Sequence, residues 1–63
     1  MRKYRVVLCY LHTTVQMDFD ALSVTDALDI FWDVLTEEEG YPFADNAKRA
    51  GQLYVRRLED DEL

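Results

Sequence analysis

The chain predicts an α+β domain: a three-stranded antiparallel sheet in strand order 2-1-3, with one main amphipathic helix on one face and a short second helix. Three observations predict this ββααβ order. Two strand-like segments open the sequence, an apolar repeat with helical spacing follows, and a last strand-like segment comes after a Pro and a Gly. The 63 residues are enough for one small domain, which we expect to span residues 1–63. Because 49% of the residues are hydrophobic, the composition is that of a folding chain.

Residues 4–12 are rich in β-branched and aromatic side chains and predict a first strand. Alternation gives this strand two apolar sides. One side holds Tyr4, Val6, Leu8 and Tyr10, and the other holds Val7, Cys9 and Leu11. Thr13 and Thr14 predict a short turn. Strict alternation over residues 15–20 then predicts a second strand, so the two segments form a hairpin.

A helix is predicted from about residue 24 to about residue 38. Ser23 is a good N-cap, Asp26 adds a carboxylate in the first turn, and Gly40 ends the helix. At about 100° per residue one apolar stripe must pack on the sheet. Its members are Val24, Ala27, Leu28, Phe31, Val34 and Leu35.

The last third of the chain predicts a short helix and a third strand. Pro42 suits the first turn of a helix that stops at Gly51, and residues 53–58 read as a strand. A right-handed crossover places this strand beside the first, which gives the order 2-1-3. We expect the acidic tail at 59–63 to fray.

One helix covers only one face of such a sheet, so one apolar side of the first strand is left open. The spacing does not decide which. Exposed apolar surface on a small domain marks an interface. We therefore expect Val7, Cys9 and Leu11, or the opposite set, to form a homodimer or partner interface.

Charge is the main functional signal. Residues 6–47 contain no Lys or Arg, although a typical surface mixes both signs. Nine acidic residues lie in this window: Asp18, Asp20, Asp26, Asp29, Asp33, Glu37, Glu38, Glu39 and Asp45. Such a single-sign field suits a basic partner.

Four of these acids share the outward side of the predicted helix. This acidic ridge consists of Asp26, Asp29, Asp33 and Glu37, with Ile30 and Trp32 on its borders as candidate apolar anchors. The carboxylates follow one another at about 4.5 to 6 Å along the helix axis. Because that spacing is comparable with phosphates along a nucleic-acid strand, the ridge could imitate a DNA backbone.

Catalysis, cofactors and metals have little support. Cys9 and His12 are the only residues of their types, no Gly-rich phosphate loop is present, and the spacing of the acids matches no calcium loop. We expect a non-enzymatic protein without catalytic residues, cofactor or metal. A net charge of −6 disfavours nucleic-acid and membrane binding, and the apolar N-terminal run is too short for a span. We therefore expect a cytoplasmic protein.

The basic residues form a second pole. They open the first strand and end the third, and antiparallel pairing would bring them close, near Tyr4 and Tyr54. The cluster consists of Arg2, Lys3, Arg5, Arg56 and Arg57. It could contact RNA or DNA, or it could be neutralised by the acidic tail or across a dimer.

The run Leu22-Ser23-Val24-Thr25-Asp26, together with the order of elements around it, resembles the short uracil-DNA glycosylase inhibitors of Bacillus phages. That resemblance implies a dimeric DNA mimic that occupies the substrate groove of a glycosylase. At the positions of that family's recognition side chains this chain has Ala27, Leu28 and Phe31, so no binding residue is carried over. Small phage anti-CRISPR proteins share the size and acidity.

The leading functional prediction is a small phage-encoded or mobile-element-encoded inhibitor that acts in the host cytoplasm. It would bind the basic nucleic-acid groove of a DNA-processing or defence enzyme through the acidic ridge, without binding nucleic acid itself. The alternative is a protein–protein interaction module or dimeric accessory subunit that works through its apolar sheet face. A weaker possibility is nucleic-acid binding by the basic cluster.

Overall fold

The structure, a computed structural model, describes residues 1–58. The predicted tail at 59–63 lies outside the described residues. Three strands and two helices follow in the predicted order: β1 Arg2–Tyr10, β2 Thr13–Ala21, α1 Val24–Glu39, α2 Tyr41–Ala50 and β3 Gln52–Leu58. No helix among residues 1–58 is long and apolar enough to cross a membrane.

The sheet has the order β2-β1-β3 with both neighbours antiparallel, which confirms the predicted fold class. In the register, Val6 of β1 pairs with Met17 of β2 and with Val55 of β3. Both helices cover the same side of this sheet. Tyr4, Val6 and Leu8 are buried under them, so the even-numbered side of β1 is the covered one.

The hairpin turn lies two residues earlier than predicted. Tyr10 pairs with Thr13, so Leu11 and His12 form a two-residue loop, and β1 ends at Tyr10 rather than at residue 12. Two-residue loops match the right-handed twist of a hairpin, and β-branched Thr suits a strand better than a turn. Leu11 adopts a left-handed backbone with φ of 56° and is 81% exposed. It therefore does not lie on a sheet face.

α1 begins as predicted. The Asp26 amide donates to the Ser23 hydroxyl at 3.2 Å, and the Asp26 carboxylate accepts from the Leu22 amide at 2.9 Å. Ala27, Phe31 and Leu35 are fully buried against the sheet. The prediction that Val24 packs on the sheet is wrong, since it is 48% exposed. Helical side chains tilt toward the N-terminus, so a first-turn side chain points past the layer it would cover.

α2 completes the core from the same side of the sheet. Gly40, with φ of 92°, joins the two helices, and Pro42 lies in the first turn of α2 as predicted. Ala44 and Ala47 are buried, so α2 packs closely through small side chains. Phe43 meets Tyr10 edge-on, with ring centroids 5.6 Å apart. α1 therefore has α2 on one flank and solvent on its outer side.

Candidate protein-binding surface on the first helix

Three carboxylates project from the outer side of α1. Asp29, Asp33 and Glu37 are exposed and lie opposite the buried stripe. We call these three residues the acidic helix face. Within residues 1–58 no ion pair or hydrogen bond reaches any of their side chains. The structure thus brings three of the four predicted ridge residues together as unpaired negative charge.

Asp26, the fourth ridge residue, is used differently. It is half-buried, and its carboxylate accepts the hydrogen bond from Leu22 at the start of α1. A carboxylate in this position satisfies an amide that the helix leaves unpaired and lies near the positive end of the helix dipole. Asp26 therefore stabilises the start of the helix, and we do not include it in the acidic helix face.

The acidic helix face lowers the stability of its own helix. Asp29 and Asp33, and Asp33 and Glu37, are like charges at i, i+4, which destabilise a helix by a few tenths of a kcal/mol per pair. The last turn of α1 holds no basic residue. Glu37, Glu38 and Glu39 there lie near the negative end of the helix dipole, where an acid costs about 0.3–1 kcal/mol.

The two predicted apolar anchors are partly used by the fold. Trp32 is half-buried and packs edge-on against Phe31, with ring centroids 5.2 Å apart. The Lys48 ammonium lies 5.4 Å from the centroid of the Trp32 ring. Ile30 is also half-buried and packs against the core. Only the outer part of each side chain remains available to a partner.

A cleft of about 90 Å³ separates α1 from α2, next to the acidic helix face. It is lined by Trp32, Thr36, Tyr41, Ala44, Asp45 and Lys48. The Thr36 hydroxyl is already used, since it donates to the Trp32 carbonyl at 2.7 Å. Our sequence reasoning missed this cleft and Tyr41. Positions 41, 44, 45 and 48 share one side of a helix at i, i+3, i+4 and i+7, a spacing that identifies the α2 wall in retrospect.

The uncovered side of the sheet is mostly polar. This open sheet face consists of Lys3, Arg5, Val7, Cys9, Thr14, Gln16, Asp18, Asp20, Gln52, Tyr54, Arg56 and Leu58. Val7 and Cys9 lie at its centre and are half-buried. Of the two predicted alternatives for the uncovered side, the structure therefore has the one that contains Val7 and Cys9. Leu11 is absent from it because it belongs to the hairpin turn. Its apolar part consists of Val7, Cys9, the 58%-exposed Tyr54 and, at the end of β3, Leu58.

One acid of the open sheet face is paired. Arg5 donates two hydrogen bonds to the Asp18 carboxylate, at 2.9 and 3.1 Å. The hydrogen bond from Arg5 lowers the pKa of Asp18 below its ordinary value of 3.8, and the positive charges of Arg5 and Lys3 act in the same direction. Asp18 thus has a cationic partner within its own chain, whereas Asp29, Asp33 and Glu37 on the outer side of α1 have none among residues 1–58.

The basic cluster is divided by the pleat of the sheet. Arg5 lies opposite Arg56 on the open sheet face, with Lys3 on the same side. Arg2 and Arg57 fall on the helix side, because Arg57 pairs with Tyr4 and strand residues alternate. Tyr4 is 5% exposed and belongs to the core. The predicted single patch of five bases with two tyrosines is therefore wrong, although strand pairing does bring the two ends together.

Within residues 1–58 no three His, Cys, Asp or Glu side chains are placed to hold a metal ion. Comparisons of the chain with protein-family models, curated proteins and solved structures found no match. The motif at residues 22–26 forms the cap of α1, in which the Ser23 hydroxyl accepts from the Asp26 amide and the Asp26 carboxylate accepts from the Leu22 amide. These residues therefore have a structural role at the start of the helix.

Proposed function

We propose that this chain is a small non-enzymatic inhibitor that binds the basic nucleic-acid groove of a DNA-processing or defence enzyme. The acidic helix face provides the contact. The observation that carries this proposal is that Asp29, Asp33 and Glu37 are exposed, share one side of α1 and have no cationic partner among residues 1–58.

The charges of the acidic helix face lower the stability of the fold. Adjacent carboxylates on one helix face destabilise that helix, and acids in its last turn add to the cost. Places where a sequence breaks a local rule without a compensating gain are typically functional. A cationic partner removes the repulsion between Asp29 and Asp33 when it binds, so the gain appears only in the complex.

The choice of a nucleic-acid groove rests on spacing and charge. A rigid helix holds the three carboxylates in a row at about 6 Å along its axis, and a groove that binds phosphates offers Lys and Arg at similar intervals. Complementary charge steers association and is screened by salt. The small size, the acidity and the resemblance at residues 22–26 favour a phage or mobile-element protein. Uracil-DNA glycosylase and CRISPR effectors are the first targets to test.

A capture experiment tests the proposal. The immobilised chain is exposed to a bacterial lysate at low salt, and bound proteins are eluted either with duplex DNA or with salt. We expect DNA to displace nucleic-acid enzymes from the wild type and expect Asp29→Asn with Asp33→Asn to retain few of them. A purified bacterial uracil-DNA glycosylase, assayed on a uracil-containing oligonucleotide, tests the first named target.

A charge-matched control separates the helix from net charge. Gln16→Lys with Gln52→Lys raises the net charge by the same two units, at exposed positions of the open sheet face. We expect this variant to capture the DNA-displaceable proteins nearly as well as the wild type. Equal retention by the helix variant and the wild type, or equal loss in both variants, would contradict the proposal.

The second candidate is an interaction module or homodimer that uses the open sheet face. The specific observation in its favour is Tyr54, which is 58% exposed beside Val7 and Cys9. Light scattering of the wild type and of Val7→Asp tests this candidate. A wild-type dimer that Val7→Asp converts to a monomer supports it, and a wild-type monomer at tens of micromolar counts against it.

A further inference from the structure

We propose that the cleft between α1 and α2 is a receptor for one arginine side chain of the partner. This inference rests on the proposed function and adds to it a defined subsite with a defined ligand, a guanidinium group. The acidic helix face gives long-range attraction, whereas the cleft gives a short-range contact that fixes the register of the complex.

The walls of the cleft have the chemistry that a guanidinium requires. Trp32 from α1 and Tyr41 from α2 provide aromatic surface, and Tyr41 is 70% exposed. Asp45, also on the wall, provides a carboxylate whose side chain is 32% exposed; it pairs with the exposed Arg49 at 3.3 Å, and an incoming guanidinium would compete with that surface pair. A planar cation can stack on an aromatic ring while it donates to a carboxylate, which is a favoured way to recognise arginine.

The protein already places a cation in this cleft. The ammonium of Lys48 lies 5.4 Å from the centroid of the Trp32 ring, within the range of a cation–π contact. Lys48 is exposed and its stem is flexible, so it can leave without disturbing the core. We infer that Lys48 occupies the position that the partner's guanidinium takes in the complex.

Size and surrounding charge favour arginine. A volume of about 90 Å³ holds several water molecules, and so accommodates a guanidinium with part of its stem. Guanidinium is more weakly hydrated than ammonium and donates in a planar fork, so it loses less on entering a cleft with one carboxylate. Asp33, next in sequence to Trp32, lies on the acidic helix face and adds negative potential near the opening.

The experiment uses the intrinsic fluorescence of Trp32, which is the only tryptophan in the chain. The wild type is titrated with N-acetyl-arginine amide, with the lysine analogue and with the neutral citrulline analogue. We expect a saturable change with arginine, a weaker response with lysine and none with citrulline. In Asp45→Asn the arginine response should be lost.

Lys48→Ala is the decisive variant. If Lys48 competes for the cleft, its removal tightens arginine binding by about two- to fivefold, the factor that corresponds to an exposed cation–π contact. A residue that only supports the fold would weaken binding when removed. Arg57→Ala, which removes an exposed cation of β3 that does not line the cleft, is the matched control and should change binding less.

Equal responses to arginine and citrulline, or an arginine response that survives in Asp45→Asn, would overturn the cleft proposal. So would weaker binding in Lys48→Ala, provided that urea unfolding shows this variant to be folded. The two proposals fail separately. If Asp29→Asn with Asp33→Asn no longer captures the DNA-displaceable proteins, but the wild type shows no fluorescence response to arginine, the proposed function stands and only the arginine subsite is wrong. If the wild type responds to arginine but the double variant captures the proteins as well as the wild type, the proposed role of the acidic helix face is wrong.

Discussion

α1 ends in Glu37, Glu38 and Glu39, with no basic residue in its last turn, whereas the last turn of α2 holds Lys48 and Arg49. In α2 the cations lie near the negative end of the helix dipole, where they stabilise the helix. Arg49 also pairs with Asp45 one turn earlier, at 3.3 Å. The two helices are neighbours in one small domain, yet only α2 has the stabilising arrangement in which cations lie near the C-terminal end of the helix.

This difference indicates what each set of charges does. The charges of α2 are explained by the folded chain alone, through the dipole and an i, i+4 pair. The charges on the outer side of α1 are not explained by the folded chain, because they repel one another and meet no cation among residues 1–58. We propose a binding role for the second set. The following variants test the comparison between the paired and unpaired regions, from the largest expected effect to the smallest.

The two helices also end at glycines that are required for different reasons. A Cβ on Gly51 would lie 2.7 Å from the Ala47 carbonyl and 2.9 Å from Leu8, while a Cβ on Gly40 meets only Pro42, at 3.8 Å. We expect Gly51→Ala to destabilise the protein by about 1–3 kcal/mol through crowding. Gly40→Ala should cost about 1–3 kcal/mol through backbone strain alone, because φ of 92° with ψ of 156° is a conformation that essentially only glycine adopts.

Urea unfolding measures both glycine variants. Chemical synthesis with D-alanine at position 40 provides the control, since a D-residue favours positive φ. Recovery of stability with D-alanine at 40 is expected. If L-alanine at 51 is tolerated at no cost, the close approach of α2 to β1 is wrong.

Asp26 and Asp33 are both acids of α1, but only Asp26 has a structural partner. We expect Asp26→Ala to lower the free energy of unfolding by about 1 kcal/mol, because the Leu22 amide loses its acceptor. Asp33→Ala should leave stability unchanged or raise it by a few tenths of a kcal/mol, since it removes two like-charge neighbours. Equal losses in the two variants would show that Asp33 stabilises the helix after all.

Reversing the charges at the end of α1 makes it resemble α2. Glu38→Lys with Glu39→Lys should raise the free energy of unfolding by about 0.3–1 kcal/mol, because cations replace anions near the negative end of the dipole. The same change should reduce capture of a basic partner. Thermal unfolding at low salt measures the first effect, and a variant less stable than the wild type would contradict the dipole argument.

The paired acid Asp18 gives the smallest effect and contrasts with the unpaired acids of α1. Its pKa is lowered in the folded state, so its contribution to stability is present at pH values above 3.8 and is lost as the pH falls through the folded pKa. Asp18→Asn should therefore cost at most about 1 kcal/mol at pH 7 and nothing at the acid end. Urea unfolding of both proteins from pH 7 to pH 2 checks this. If the difference in free energy of unfolding between the wild type and Asp18→Asn grew as the pH fell, the pH dependence derived from the lowered pKa of Asp18 would be wrong.

The sequence predicts the fold well because each element carries its own periodic pattern. The stripe through Ala27, Phe31 and Leu35 locates α1, and Gly40 with Pro42 locates the join to α2. The pattern could not choose a side of β1, since both sides are apolar. It also placed the turn at two threonines that the strand accommodates better.

The surface was harder to predict than the core. Helical spacing gathers Asp29, Asp33 and Glu37 without any tertiary information. The cleft was missed because its walls come from two helices, and their approach depends on tertiary packing that buries the small side chains Ala44 and Ala47 of α2. The basic cluster was misjudged although alternation along a strand already places Arg56 and Arg57 on opposite sides of the sheet. The strand register adds that Arg56 lies beside Arg5 on the open sheet face.

The most direct test of the acidic helix face is the salt dependence of binding to the DNA-displaceable partner. The binding constant is measured over a series of NaCl concentrations for the wild type and for Asp29→Asn with Asp33→Asn. We expect wild-type binding to weaken steeply as salt rises, and the variant to bind more weakly with a shallower slope. Two lines that coincide would show that these carboxylates make no contact with the partner, and would contradict the account.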